Sequence, residues 1–239
     1  MQSERAVQDN QKLIEFWDRA FSMPEEQKAS IQDQHEEDWK ELAPSDKLFR
    51  AACSLGRRKK VLDYGCGSGW AAIIAAKSGC PDVTAVDAAP AAVQAARLNA
   101  LRYGTADRIH FHCAASGWLQ SIPSDTYDGL FCSNVLDVIP PETAEEIVRE
   151  SARVVRRDSP VIIGLNYCLS PEAAAGKGLE LVDGNRLYLD GVLRLVSRTD
   201  EEWTQLLSPW FTVARLEHFA WPGETKETRR LFLLRKRED

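Results

Sequence analysis

Short apolar runs alternate with amphipathic segments along most of the chain. Strands that alternate with helical patterns are typical of a parallel sheet with crossover helices. The runs are nearly continuous in apolar character, as expected for strands that are covered on both faces. From residue 60 onward the pattern therefore predicts an α/β domain with a doubly wound sheet. The seven predicted strands are KVLDY (60–64), VTAVDA (83–88), IHFHC (109–113), DGLFCS (128–133), PVIIGLN (160–166), FTVARLEHF (211–219) and RRLFLLRK (229–236).

Helical patterns occupy the gaps between these strands. Glycines follow the first two patterns at the position where a helix commonly ends, at Gly79 and Gly104. In the last pattern, Thr199 and Glu202 have the spacing of a capping box. The predicted helices are WAAIIAAKSG (70–79), APAAVQAARLNALRYG (89–104), PPETAEEIVRESARVVRR (140–157) and TDEEWTQLLS (199–208).

Two parts of the chain depart from this alternation. Residues 1–56 hold helical stretches that break at Pro24 and Pro44, and we interpret them as an N-terminal helical cap. Residues 167–198 predict a β-hairpin or lid inserted after the fifth strand. Additions at the carboxyl ends of the strands are where open α/β sheets bind ligands. We therefore divide the chain into the cap and a second domain over 57–239.

The overall charge and the cysteines narrow the class of protein. The 239 residues include 36 acidic and 30 basic side chains, a net charge of −6 that argues against an extended nucleic-acid surface. A local basic run, GRRKK (56–60), directly precedes the first strand. The six cysteines are scattered without a CxxC pair, so we expect no metal site and no disulfide. The polar N-terminus and the short apolar runs predict a cytoplasmic protein that does not enter a membrane.

The stretch VLDYGCGSGW (61–70) combines a strand with a glycine-rich turn and a helix start. No GK[ST] follows, which excludes a nucleoside-triphosphate loop. The spacing Gly65-x-Gly67-x-Gly69 also differs from the dinucleotide fingerprint G-x-G-x-x-G, and Trp70 at the helix start would crowd a pyrophosphate. The turn therefore predicts a ligand that approaches the main chain closely without a phosphate cradle.

The segment LDYGCGSG (62–69) resembles the D/E-x-G-x-G-x-G signature of class I S-adenosylmethionine-dependent methyltransferases. The resemblance extends over 57–239. Asp87 closes the second strand and HCAAS (112–116) ends the third, as in the family. YDGLFCSNVLDVIP (127–140) resembles the family's fourth-strand segment, and the pattern of a helix followed by a hairpin resembles its last part. It implies a Rossmann-like, mostly parallel seven-stranded sheet whose last strand is antiparallel. The implied cofactor is S-adenosyl-L-methionine, with S-adenosyl-L-homocysteine as its product.

The resemblance also implies a set of cofactor-binding residues. Asp87 would hold the two ribose hydroxyls, and the glycine loop would lie under the methionine portion. One departure is Ala115, because family members often carry an acid near this position that accepts the adenine amino group. The implied residues are Asp63, Gly65, Cys66, Gly67 and Gly69 in the loop, Asp87 and Ala88 after the second strand, Ala114, Ala115 and Ser116 near the adenine, and Ser133 and Asn134 beside the methyl group.

Structural roles compete with these assignments. Asp63 has the alternative role of an acid that fixes the loop, and Asn134 that of a residue that satisfies backbone groups at the end of a strand. Asp87 also stands where it would cap the next helix, a role compatible with ribose binding.

The nature of the methyl acceptor is less clearly indicated. The fourth strand ends in SNVLDVIP (133–140) rather than the N/D-PP-Y/F of methyltransferases that act on amino groups of bases or of glutamine. No catalytic base is evident, although Asp137 is a candidate polar contact. We therefore expect a small-molecule acceptor in a cleft with Trp17, Tyr167 and Tyr188 as candidate lining residues. The alternatives are a protein or nucleic-acid methyltransferase and a non-catalytic S-adenosylmethionine-binding protein, and the oligomeric state is not indicated.

Overall fold

The computed structural model describes residues 3–32 and 38–237, without the side chains of residues 32 and 116. Its helices are α1 Glu4–Phe21, α2 Glu25–Gln32, α3 Asp46–Ser54, α4 Trp70–Lys77, α5 Pro90–Arg102, α6 Pro141–Val154, α7 Pro171–Gly176 and α8 Asp200–Leu207. Its strands are β1 Val61–Tyr64, β2 Val83–Asp87, β3 Ile109–Cys113, β4 Gly129–Ser133, β5 Pro160–Leu165, β6 Glu180–Val182, β7 Arg186–Leu189, β8 Val192–Val196, β9 Phe211–Phe219 and β10 Arg229–Lys236.

Seven of these strands form one sheet in the order β3-β2-β1-β4-β5-β10-β9. The strands β1 to β5 pair in parallel, whereas β10 is antiparallel to both β5 and β9. The predicted seven-stranded α/β sheet with an antiparallel last strand is therefore confirmed. The carboxyl ends of β1, β2 and β4 lie at one edge of this sheet, and the loops that follow them meet there.

Both faces of the sheet are covered by helices. Alternate residues of a strand point to opposite faces, so Val61 packs with α3, α4 and α5 while Leu62 packs with α6 and α8. Trp203 of α8 and Phe131 of β4 are both about 1% exposed, which places large side chains in the centre of the two layers. This arrangement explains why the strands read as continuous apolar runs.

The inserted segment forms a separate sheet of three antiparallel strands in the order β6-β7-β8. The sequence predicted a β-hairpin or lid here, and the segment contains two consecutive hairpins. Two Asp-Gly pairs produce the two turns, since Asp183 and Gly184, and likewise Asp190 and Gly191, have positive φ angles. Asp-Gly is a preferred pair for tight hairpin turns because both residues tolerate this conformation.

Helix α1 is held against the inserted sheet by one buried and one exposed polar contact. The Tyr188 hydroxyl donates to Asp9 Oδ2 at 2.7 Å, and Asp9 is only 5% exposed. Arg5 donates to the carboxylate of Asp183 at 2.6 Å. These contacts join residues about 180 positions apart in the chain.

The other side of α1 contacts the main domain. Asn10 Nδ2 donates to Thr143 Oγ1 of α6 at 2.9 Å. Nearer its end, Asp18 Oδ1 accepts a hydrogen bond from the Ala91 backbone N–H in the first turn of α5. A carboxylate at this position satisfies a free N–H group and favours the positive end of the helix dipole. Helix α1 therefore spans the carboxyl edge of the sheet.

No helix in the described ranges has the length and apolar character needed to cross a bilayer.

Candidate functional site

A cavity of about 610 Å³ lies at the carboxyl edge of the sheet, beneath α1. Its floor is formed by the loops that follow β1, β2 and β4, and its roof includes Trp17 and Phe21 of α1. Side chains from the start of α6 and from the loop between β9 and β10 close the remaining side. A volume of this size is typical of small-molecule sites.

The three glycines of the loop after β1 have different surroundings. A Cβ atom at Gly65 would lie 2.1 Å from Val135 Cγ2, and one at Gly69 would lie 2.9 Å from Ala96 Cβ. These two glycines therefore allow neighbouring loops and helices to pack closely. Gly67 lines the cavity, and the atom closest to its added Cβ would be Phe21 Cζ at 3.2 Å. This position keeps the main chain open toward the cavity.

Asp87, at the end of β2, organises the floor of the cavity. Its Oδ2 accepts the Gly67 backbone N–H and its Oδ1 accepts the Ala89 backbone N–H, both at 2.9 Å. Burial raises the pKa of Asp87, while the N–H groups of Ala89 and Gly67 oppose that rise. An ionised carboxylate has about four acceptor positions, so each oxygen keeps capacity for a ligand hydroxyl. The predicted helix-capping and ligand-facing roles are therefore compatible in this geometry.

Asp63 lies behind the loop and outside the cavity wall. It is 3% exposed, and its Oδ2 accepts the Ala72 backbone N–H of α4 at 3.0 Å. Burial raises the pKa of Asp63 to about 7, opposed by the Ala72 N–H and reinforced by the charge of Asp87. These contacts support the structural alternative, in which Asp63 fixes the start of α4.

Asn134 follows β4 in a left-handed conformation with φ of 58°. Its Nδ2 donates to Asn166 Oδ1 at 3.0 Å, and its Oδ1 accepts the Ser133 hydroxyl at 3.1 Å. The backbone N–H donates to Gly164 O at 2.9 Å. Asn134 thus satisfies groups at the strand end and also lines the cavity, so the two interpretations of this residue both remain.

Most of the predicted cofactor-binding residues come together around the cavity. Asp63 and Gly69 do not line it, and the side chain of Ser116 lies outside the described part of the structure. Trp17 lines the cavity, whereas Tyr167, Tyr188 and Asp137 do not. The predicted residues that do line it are Gly65, Cys66, Gly67, Asp87, Ala88, Ala114, Ala115, Ser133 and Asn134.

Most of the remaining wall residues had no direct signal in the sequence. Its residues lie on segments far apart in the chain, and only the apolar face of α1, with Leu13, Ile14 and Trp17 at helical spacing, carries a recognisable signal. The residues that were missed include Asn10, Leu13, Ile14, Phe21, Trp70, Val138, Ile139, Thr143, Ile147 and Trp221.

Two titratable side chains of the wall, the Tyr64 hydroxyl and the Cys66 thiol, are poor nucleophiles in this setting. Burial raises the pKa values of Tyr64 and of the Cys66 thiol, so both groups are neutral at neutral pH. Within the described ranges, no group of three or more His, Cys, Asp or Glu side chains is placed to hold a metal. The wall can therefore bind and orient ligands, and it assigns no residue to proton transfer.

Comparison with known sequences identifies the central part of the chain. Residues 61–158 match the family model of a methyltransferase domain. A ubiquinone biosynthesis O-methyltransferase of Neisseria meningitidis is 33% identical over 153 residues, which cover 64% of this chain and 59% of that relative. A ribosomal protein L11 methyltransferase of Aeromonas hydrophila is 40% identical over 78 residues, or 33% of this chain and 25% of that relative. The chain therefore spans less than two thirds of each of these relatives.

Solved structures share the fold over most of the chain. The 1,6-didemethyltoxoflavin-N1-methyltransferase of Burkholderia thailandensis, with 1,6-didemethyltoxoflavin and S-adenosylhomocysteine bound, has a TM-score of 0.62 at 20% identity and covers 84% of this chain and 81% of its own. The N-methyltransferase NodS of Bradyrhizobium japonicum, in complex with S-adenosylhomocysteine, has a TM-score of 0.60 at 15% identity, with 85% and 90% covered.

Proposed function

We propose that this chain, which belongs to the class I S-adenosylmethionine-dependent methyltransferase family, transfers a methyl group from S-adenosylmethionine to a small-molecule acceptor. The observation that carries the proposal is the half-buried carboxylate of Asp87, which faces a cavity of about 610 Å³ beside the open main chain at Gly67.

The cavity fits the cofactor in shape and in charge. Asp87 would accept hydrogen bonds from both ribose hydroxyls, because each of its oxygens has bound only one backbone N–H. Ala88, Ala114 and Ala115 would lie against the adenine, where their small side chains leave room. The negative charge of Asp87 would also attract this cofactor, because the net charge of S-adenosylmethionine is positive at neutral pH. Ser133 and Asn134 would stand near the methyl group.

When bound, S-adenosylmethionine supplies a methyl group that is activated by a positively charged sulfur. The residues of this chain then have mainly to hold the acceptor atom in line with that methyl group, and such orientation alone contributes roughly 7–11 kcal/mol. No residue is assigned as a general base. An acceptor whose nucleophilic atom is reactive without deprotonation, or that loses its proton to water, is consistent with this wall.

The helix that crosses above the cavity favours a small acceptor over a macromolecule. Helix α1 is tied down there at Asp9, Asn10 and Asp18, so it covers part of the path that a protein or nucleic-acid segment would take to the glycine loop. The O-methyltransferase of ubiquinone biosynthesis and the toxoflavin enzyme act, by their names, on small molecules. The similarity to the L11 methyltransferase covers only 78 residues and leaves the protein-acceptor alternative with less support. The third candidate is a non-catalytic protein that binds S-adenosylmethionine.

The proposal includes the division of the chain into parts with separate roles. Residues 1–56 would act as the cap over the site, residues 57–239 as the methyltransferase domain, and residues 167–198 as a lid that supports α1. All six cysteines are free thiols, which is consistent with a reducing, cytoplasmic location.

Isothermal titration calorimetry with S-adenosylmethionine and S-adenosylhomocysteine tests the cofactor assignment. We expect Asp87→Ala to weaken binding of both by about 1–3 kcal/mol, the usual effect of removing a charged hydrogen-bond partner. Asp107→Ala is the matched control, since the side chain of Asp107 is 78% exposed and Asp107 does not line the cavity. Unchanged affinity in Asp87→Ala would show that the ribose assignment is wrong, and absence of binding to the unmodified protein would reject the function.

A further inference from the structure

The charged side chains of the cavity wall are all acidic. Asp87 and Glu15 line the cavity, and no lysine, arginine or histidine does so among the residues described by the structure. The two weaker acids of the wall, Tyr64 and Cys66, stay neutral because burial raises their pKa values. The cavity therefore offers no positive side chain to a bound anion.

The guanidinium of Arg229, behind the wall, is engaged by a carboxylate, an amide oxygen and an indole ring. Arg229 lies 3.5 Å from the centroid of the Trp221 ring, and Trp221 is part of the wall. Its Nε and Nη2 donate to the Glu224 carboxylate, and its Nη1 donates to Asn166 Oδ1. With its side chain only 6% exposed, Arg229 supports the indole ring from behind and is not free to bind a ligand in the cavity.

Apolar side chains cover most of the wall opposite the glycine loop. Val7, Ile14 and Trp17 of α1 face the cavity from one side, and Ile139 and Ile147 from the other. The polar pair between them, Asn10 and Thr143, is joined by its own hydrogen bond at 2.9 Å. A ligand in this half gains contact with hydrocarbon surface and meets few groups that could replace the water around a charge.

We propose that the methyl acceptor is an uncharged, largely apolar molecule that lies between α1 and the start of α6, and that this wall excludes acceptors bearing a phosphate or carboxylate. The inference rests on the proposed function, because it assigns the glycine-loop half of the cavity to the cofactor. A phosphate or carboxylate would lose its hydration without gaining a cation, which is a large penalty in an apolar site. Such unpaired charge is a common means of rejecting a wrong ligand.

Equilibrium dialysis with naphthol and naphthyl phosphate tests this inference, because the two probes share a ring system and differ in charge. The protein is first saturated with S-adenosylhomocysteine, whose binding is measured separately by calorimetry. We expect naphthol to bind at least about tenfold more tightly than naphthyl phosphate. Equal binding, tighter binding of the phosphate, or no binding of naphthol at millimolar concentration would overturn the inference. Failure of S-adenosylhomocysteine to bind would instead reject the proposed function.

A pair of lysine substitutions locates the discrimination in the wall. Val7 lines the cavity and is 53% exposed, so Val7→Lys adds a cation to the wall at a position that tolerates a long side chain. Leu101 on α5 is 49% exposed and does not line the cavity. We expect Val7→Lys to reduce the preference for naphthol several-fold and Leu101→Lys to leave it unchanged. The same change in both variants would mean that net charge, not the wall, sets the preference.

Discussion

The two halves of the cavity are built in different ways. The glycine-loop half comes mainly from residues 64–89, with smaller contributions from residues 114–115 and 133–135, and its shape is set largely by main-chain hydrogen bonds and one carboxylate. The half under α1 consists of side chains from residues 7–21, from 138–147 and from Trp221. The first half tolerates little change because backbone geometry depends on it. The second can change its shape by substitution while the first stays intact, which is how one fold serves many acceptors.

The largest effect should come from a methyl group added at the first glycine of the loop. Gly65 has φ of 72°, and its added Cβ would overlap Val135 Cγ2 at 2.1 Å. We expect Gly65→Ala to lower the free energy of unfolding by about 2–4 kcal/mol, from the left-handed backbone and the overlap together. Urea unfolding measures the stability, and calorimetry should show loss of S-adenosylhomocysteine binding.

Two further variants separate these causes. Gly104 has φ of 63° with no atom within 4 Å of its added Cβ, so Gly104→Ala should lose only about 1–2 kcal/mol. The double variant Gly65→Ala/Val135→Ala should recover part of the stability, because it removes the overlapping methyl. If Gly65→Ala were as stable as Gly104→Ala, close packing would not be the reason for this glycine.

A second effect concerns pH and the buried acid of the glycine-loop half. Because burial raises the pKa of Asp63 to about 7, the folded protein holds a proton there that the unfolded chain has lost above about pH 4. The free energy of unfolding should therefore fall as the pH rises toward 7, by about 2–3 kcal/mol between about pH 5 and pH 7. In Asp63→Asn, whose side chain does not titrate, this part of the decline should disappear from urea unfolding curves.

Asp137, a buried acid that does not line the cavity, provides the comparison. Burial raises its pKa to about 6, opposed by hydrogen bonds from Asn166. The contribution of Asp137 to the free energy of unfolding should also fall as the pH rises. This fall should end about one pH unit lower than that of Asp63. The test is a plot of unfolding free energy against pH for Asp137→Asn, Asp63→Asn and the unmodified protein. If the two variants differ from the unmodified protein over the same pH interval, these assignments are wrong.

The smallest effect should come from loosening α1. Tyr188→Phe removes the hydroxyl that donates to the buried Asp9. We expect the free energy that holds α1 against the inserted sheet to fall by about 1–2 kcal/mol. Amide hydrogen exchange over residues 4–21 should become about 5–30-fold faster. The matched control is Tyr167→Phe, because the Tyr167 ring packs with Arg229 and Lys177 rather than with a residue of α1. Equal acceleration in the two variants would show that the Asp9 contact does not hold α1.

The fold and the glycine loop were predictable because their signals are local. The seven strands lie within a residue or two of the predicted runs, the capping box at Thr199 forms as expected, and Gly79 and Gly104 follow the ends of α4 and α5 with positive φ. Each of these features depends on neighbouring residues. The glycine loop and Asp87 were found for the same reason, because one segment contains both.

The half of the wall under α1 was not predictable, because it depends on contacts between distant segments. Nothing near Asn10 in the sequence indicates that it meets Thr143, and Tyr188 was expected in the cleft, whereas it bonds to Asp9. The third strand of the inserted sheet had a usable signal in the second Asp-Gly pair, Asp190 and Gly191. One Asp-Gly turn joins two strands into a hairpin, whereas two such turns in succession predict three strands.

The position of β10 has a consequence for how the molecule is made. This strand follows β9 in the chain, yet it lies between β5 and β9, and among the described residues it is the strand that joins β9 to the sheet. Until residues 229–236 have been synthesised, the backbone groups along this edge of β5 lack their strand partner. The sheet is therefore completed only after β10 has been synthesised, and aggregation through the unpaired edge of β5 is the hazard that this topology creates.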